Sequence, residues 1–209
     1  MPQTHALSAS DTGLAPVPVA VLLPPVGPEP LRSPAGLSVH TACRLLTVYT
    51  SPGDLVLDAT AGSSVAAAAE WLDRQASSVT DGDQRAEPVR LVIPRLPLHD
   101  GVDLGALAEW MRRCRTCLRP GGFLVAEVPA ADEPARYADR ITTAVAGGRA
   151  AGLSYRQRLI DVRSPLPEHH PRAAPDTSPA TATRLAGGRH VRAHADLVVF
   201  ARQNGTPDA

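Results

Sequence analysis

Ser51-Pro52-Gly53-Asp54-Leu55-Val56-Leu57-Asp58-Ala59-Thr60-Ala61-Gly62-Ser63-Ser64 is the stretch on which the fold turns. Its first four residues make a turn, with Pro52 and Gly53 setting the backbone. Leu55-Val56-Leu57 is an apolar run without alternation, the mark of a strand buried on both faces. Asp58 to Ser64 reads as a Gly-containing loop, and the Ala-rich run from Val65 to Leu72 is strongly helix-forming. Strand, glycine loop and helix in that order open a βαβ unit.

Working outward toward the N-terminus, Leu37, Ala42, Leu45, Leu46 and Tyr49 fall at helical spacing and predict a helix before the turn. Residues 1–34, rich in Pro, Ser and Thr, read as an irregular arm. Within it Val17 to Leu23 offers an edge strand at most, because prolines surround it.

Toward the C-terminus, the polar stretch Ala76 to Pro88 reads as a loop, and Val89 to Ile93 as a strand stopped by Pro94. Leu104, Leu107, Ala108, Met111, Cys114 and Leu118 line one face of an amphipathic helix. Arg119-Pro120-Gly121-Gly122 turns the chain into a strand over Phe123 to Val128. Tyr137 to Ala151 is a helix closed by Gly152, and Tyr155 to Val162 a further strand. A Pro-rich flexible loop over 164–188 leads to a last strand, Val191 to Arg202, and a disordered tail over 203–209. Strands alternating with helices predict an α/β domain over 35–202, with a doubly wound, mostly parallel Rossmann-like sheet. The closing strand, reached without a helix, predicts a C-terminal antiparallel hairpin.

A chain of 209 residues suits one such domain. Its aromatic share is 3%, so the core must be built from Ala, Val and Leu. All 21 cationic residues are Arg and are balanced by 21 acidic ones, which excludes nucleic-acid binding through bulk charge. No apolar run approaches the roughly 18 residues of a membrane span. The Met1 region lacks the cationic start and apolar core of a signal peptide. Three cysteines without framework spacing fit a reducing cytoplasm.

With its neighbours, the opening stretch resembles the cofactor motif of amino-group DNA methyltransferases, the N4-cytosine and N6-adenine type, in which PGD-VLD is followed by P-F-x-G-S/I-G-T. Ser38-Val39-His40-Thr41 partly matches that family's upstream His-Pro element. Leu118-Arg119-Pro120-Gly121-Gly122, Ala151-Gly152-Leu153-Ser154-Tyr155 and His194-Ala195-Asp196-Leu197-Val198-Val199-Phe200 resemble its L-R-P-G-G, A-G-L-x-Y and H-x-D-L-V-F segments, in the family's order.

The resemblance implies a class I fold using S-adenosyl-L-methionine as cofactor and DNA as a partner. Asp58 would anchor the methionyl part of the cofactor, while Gly62 and Ser63 would let backbone approach it. Asp73, Asp81 and Asp83 are the candidates for an acidic residue on the ribose. The chain also departs from the pattern. Ala59 and Thr60 replace the family's Pro and aromatic, and Ser64 its second Gly. Where the family carries D/N/S-P-P-Y/F, this chain has Arg95-Leu96-Pro97-Leu98, with Pro97 the surviving match. Arg95 donates only, so it cannot accept the hydrogens of a target amine; His99 and Asp100 follow too late in the loop. A methyltransferase with an eroded catalytic motif is expected, and a non-catalytic homologue that binds protein or nucleic acid is the alternative.

Two other groupings carry less. Cys114-x-x-Cys117 and His190-x-x-x-His194 have ligand-like spacing, but they lie far apart and Cys114 completes an apolar helix face, so no metal is expected. Arg112, Arg113, Arg115 and Arg119 read as a solvated basic stripe, and His169-His170 as solvated loop residues.

Overall fold

The computed structural model describes residues 19–24, 37–60, 62–78, 87–98, 103–129, 134–162 and 194–204. The fold-deciding stretch forms β2 (Leu55–Ala59), and α2 (Ser64–Trp71) follows it. Around this unit the chain runs β1 (Val19–Leu22), α1 (Val39–Tyr49), then β3 (Gln75–Ser78), β4 (Val89–Pro94), α3 (Leu104–Cys117), β5 (Leu118–Val128), α4 (Pro134–Ala150), β6 (Ser154–Val162) and β7 (His194–Ala201).

The seven strands make one sheet in the order β1-β6-β7-β5-β4-β2-β3. All neighbours are parallel except β7, which runs antiparallel to both β5 and β6 and so forms the expected C-terminal hairpin with β6. β2 shows why a strand buried on both faces has no alternation. Leu57 enters the core beneath α3 and α4, whereas Val56 enters the opposite core beneath α1 and α2. The domain is therefore a three-layer α/β/α sandwich with a core on each side of the sheet.

Local signals place the helices. Ser38 caps α1 by accepting from Thr41 N–H, and buried Leu37 precedes the cap in the position of a hydrophobic staple. Asp103 caps α3 by accepting from Ala106 N–H at 2.9 Å. No basic residue lies in the last turn of α1, so tertiary neighbours cover its C-terminal carbonyls: Arg90 Nε donates to Tyr49 O and Arg74 to Thr50 O. Arg90 also lies 5.1 Å from the Phe123 ring centroid, joining β4, β5 and α1.

Three expectations need correction. The polar stretch read as a loop begins with the edge strand β3, which pairs with β2 from Leu55↔Gln75 to Asp58↔Ser78. Arg119 to Gly122 does not precede the strand but interrupts it, because β5 already pairs at Val89↔Leu118 and resumes at Leu91↔Phe123. Gly121 (φ 72°) makes that bulge, and Arg90 donates to its carbonyl at 2.7 Å. Leu104 sits in the first turn of α3 but faces solvent, unlike Leu107, Ala108 and Met111. The edge strand allowed within the Pro-rich arm is present: β1 pairs with β6 at the sheet's edge, half-burying Ala20 and Leu22 while Val19 and Val21 stay exposed. The segment 164–188, expected to be a flexible loop, and residues 205–209 of the expected tail over 203–209 lie outside the described residues.

Candidate functional site

The winding of the sheet reverses at β2. The chain leaves β2 for β3 on one side and then crosses to β4 on the other. At such a switch point the connections diverge and leave a crevice beyond the carboxyl ends of the two central strands. Ala59 pairs with Pro94 across that point, so the two segments singled out from sequence, 58–64 and 94–98, flank the same crevice.

Asp58 stands at the end of β2 and is 5% exposed. Its Oδ1 accepts twice from Thr60, at 2.8 Å from the backbone N–H and 2.7 Å from the hydroxyl. Oδ2 accepts from no described residue. Burial pushes the carboxyl above its ordinary value, and the two Thr60 bonds pull it partly back. Its sheet neighbours, Ser78 and Ile93, carry no charge.

Gly62 is half-buried in the loop, and Ser63 is exposed at the N-cap of α2. The Ser63 side chain makes no capping bond, so the first-turn N–H groups of α2 lack that partner and their partial positive charge faces the loop. Ser64, which replaces the family's second glycine, is the first residue of the helix.

Across the crevice the chain stays extended beyond β4. Arg95 bridges Glu127 of β5, and Leu96 N–H donates to the Glu127 carbonyl at 2.9 Å. Arg95 and Pro97 are exposed, whereas Leu96 and Leu98 are buried in the core that holds Leu107 and Met111. The two positions carried over for catalysis thus face outward, and the residue in place of the family's aromatic is a core leucine.

The ribose candidates fare differently. Asp73 precedes β3 and its carbonyl accepts from Gly53 N–H at 2.8 Å, which puts it at the amino end of the sheet, away from the crevice. Asp81, Asp83, His99 and Asp100 lie outside the described residues.

Several polar groups escaped the sequence reading. Thr60 was legible only as a lost aromatic, although a hydroxyl two residues after Asp is itself a turn signal. Asp161 of β6 accepts from the buried Thr41 hydroxyl at 2.6 Å and so fastens the start of α1. His40 is half-buried there, and its Nε2 has no hydrogen-bond partner among the described residues. In the H-x-D-L-V-F segment, Asp196 is 0% exposed and takes a bidentate pair from Arg158 at 2.7 and 2.9 Å.

The basic stripe is largely committed. Arg112 pairs with Glu109, Arg119 with Asp54 at 2.9 Å, and Arg115 packs beside Gly152 where α4 ends. Cys114 is partly buried against the core, and its thiol is pushed up to about 12, chiefly by burial, which disfavours a thiolate ligand. His190 lies outside the described residues.

No protein-family model matches the chain, and no curated protein matches it in sequence. Solved structures do. A Haloferax volcanii chain described as a methyltransferase, in complex with the Trm112 methyltransferase activator, superposes with a TM-score of 0.53 at 16% identity, covering 81% of this chain and 91% of that one. A cyclopropane synthase of Mycobacterium tuberculosis gives 0.46 at 15%, covering 78% and 82%. A geranyl diphosphate C-methyltransferase of Streptomyces coelicolor gives 0.45 at 13%, covering 78% of each. At such identities the likeness speaks to the fold: the chain has the Rossmann-like architecture of class I methyltransferases.

Proposed function

We propose that the crevice between β2 and β4 binds S-adenosyl-L-methionine, on a chain of the DNA amino-methyltransferase lineage whose catalytic end is eroded. The observation that carries the reading is Asp58: a carboxylate 5% exposed, at the switch point, with one oxygen committed to Thr60 and the other without a protein partner among the described residues. Oδ2 is not among the fully buried atoms that lack a partner, so it stays open at the crevice for an incoming cationic group to take up. The uncapped start of α2 lies a few residues along the same loop and has the opposite sign. A negative and a positive group so close suit a ligand bearing both an ammonium and a carboxylate, as the methionyl part of the cofactor does.

In this reading Asp58 holds the ammonium, and Gly62 and Ser63 let the backbone approach the carboxylate. When bound, the cofactor supplies an electrophilic methyl on a sulfonium. Arg95 and Pro97 line the side where an acceptor enters. Arg95 offers donors and no acceptor, so a base amine finds no group there to take its hydrogens. Base methylation is therefore expected to be negligible. The alternative, a non-catalytic homologue that binds a protein or nucleic acid, is favoured by the same observation. A fold likeness to a chain in complex with an activator makes a protein partner the first to seek.

Calorimetry with S-adenosylmethionine and S-adenosylhomocysteine tests the cofactor reading. Binding is expected, and Asp58→Ala should weaken it by about ten- to a hundredfold, the loss of a charged hydrogen bond. No heat at millimolar ligand would sink the reading; unchanged affinity in the variant would mean the site is elsewhere. A radiolabelled methyl assay on DNA is expected to show no incorporation above background, and robust incorporation would overturn the eroded-catalysis part.

A further inference from the structure

Thr60 looks, from sequence, like a loss: a hydroxyl where the family has an aromatic ring. The geometry gives it a different part. Its backbone N–H and its hydroxyl both reach the same carboxylate oxygen, at 2.8 and 2.7 Å. Two donors on one oxygen fix the carboxylate plane and leave the second oxygen as the one pointed at whatever enters the crevice. A single backbone bond would still allow rotation about the Cβ–Cγ bond, because that torsion is broad for Asp.

We infer that Thr60 is a positioning residue for ligand binding: its hydroxyl locks Asp58 so that Oδ2 alone is presented to a cationic group of the ligand. The inference rests on the cofactor reading for the identity of that ligand, and its first consequence does not need the ligand at all. The Thr60 hydroxyl also stabilises the ionised carboxylate against the burial that opposes it. Little else does. Asp58 has uncharged Ser78 and Ile93 beside it in the sheet, α2 turns Val65, Ala68 and Ala69 toward the core, and no charged side chain contributes to its shift.

The sign follows. Removing the hydroxyl removes a bond made to the charged form, so the Asp58 carboxyl rises further above its ordinary value. As pH falls, Asp58 then neutralises earlier, and its grip on a cation fails at a higher pH than in the unaltered chain. Thr60→Val keeps the shape and deletes only the hydroxyl; Thr60→Ser keeps the hydroxyl.

The experiment has two arms on the full chain. In the first, the carboxyl carbon of Asp58 is titrated by NMR without ligand. The midpoint should move upward in Thr60→Val and return toward the unaltered value in Thr60→Ser. In the second, S-adenosylhomocysteine affinity is measured from pH 5 to 9. Thr60→Val should bind about tenfold more weakly near neutrality, as expected for a lost bond to a charged group, with Thr60→Ser close to the unaltered chain. An unmoved midpoint in Thr60→Val overturns the inference. So does unchanged affinity, which leaves the cofactor reading standing. If the unaltered chain does not bind S-adenosylhomocysteine, the cofactor reading falls and takes the binding role of Thr60 with it, whatever the titration shows.

Discussion

Replacing Gly148 by Ala is expected to lower stability by about 2 kcal/mol, the cost of overpacking a filled core. Helix propensity alone predicts the opposite sign, since Ala is favoured over Gly in a helix interior by about 1 kcal/mol. The structure decides between them. A Cβ built on Gly148 would lie 2.3 Å from Cε1 of Phe200 and 2.7 Å from Cζ. Phe200 is fully buried, with the Tyr155 ring 5.7 Å away, so it has nowhere to turn. At Gly147 an added Cβ would meet Leu107 of α3 at 2.9 Å. The Gly pair thus lets α4 lie close against both β7 and α3, and the helix gives up propensity for contact. Urea unfolding should show a lower midpoint with an unchanged slope for Gly148→Ala, and a loss of about 3 kcal/mol or more for Gly148→Val. A stabilised Gly148→Ala would mean that α4 does not approach β7 so closely.

The second large effect is an asymmetry across one ion pair. Arg158→Ala should cost about 3 kcal/mol, because it strips a buried carboxylate of its bidentate partner. Asp196 is 0% exposed, and the other cationic group recorded beside it, His194 Nε2, stands 3.9 Å from Oδ2, too far to replace the two short bonds. Asp196→Ala should cost less, about 1–2 kcal/mol, since the Arg158 side chain is 32% exposed and solvent can take up its charge. Equal losses from the two single variants, read from denaturant midpoints, would show that the pair is solvated as a unit.

The fold was legible wherever burial wrote a pattern. β2, β4 and β7 lie inside the sheet and are apolar runs, and α3 has a stripe at helical spacing. β3 was missed because an edge strand facing solvent needs no such pattern: Gln75-Ala76-Ser77-Ser78 is held by its backbone pairing to β2. Leu104 misled because residues in a helix's first turn overhang the core they match in phase. Gly121 and Gly122 were recognisable as a bend, but only the pairing of Leu118 with Val89 shows that the bend is set into a continuing strand.

The candidate site was half legible. Asp58 follows from its place after an apolar strand, and the structure puts it at the switch point. Asp73 could be dismissed only once β3 was known, because the same acidic residue changes ends of the sheet when the strand begins two residues later. Thr60 carries no signal as a replacement for an aromatic; its meaning comes from the distance to Oδ1. The burial of Leu96 and Leu98 was hidden because exposure alternates along a segment too short to show a period.

β1 pairs with β6, Val19 opposite Arg158, two positions about 140 residues apart. On a ribosome adding about 5–20 residues per second, Val19 emerges roughly 7–30 seconds before its partner exists. Throughout that interval the β1 strand has no edge to join, and Ala20 and Leu22 have no core to pack against. The earliest described strand is thus among the last to be placed, and the sheet closes on it only after nearly all the others have been made.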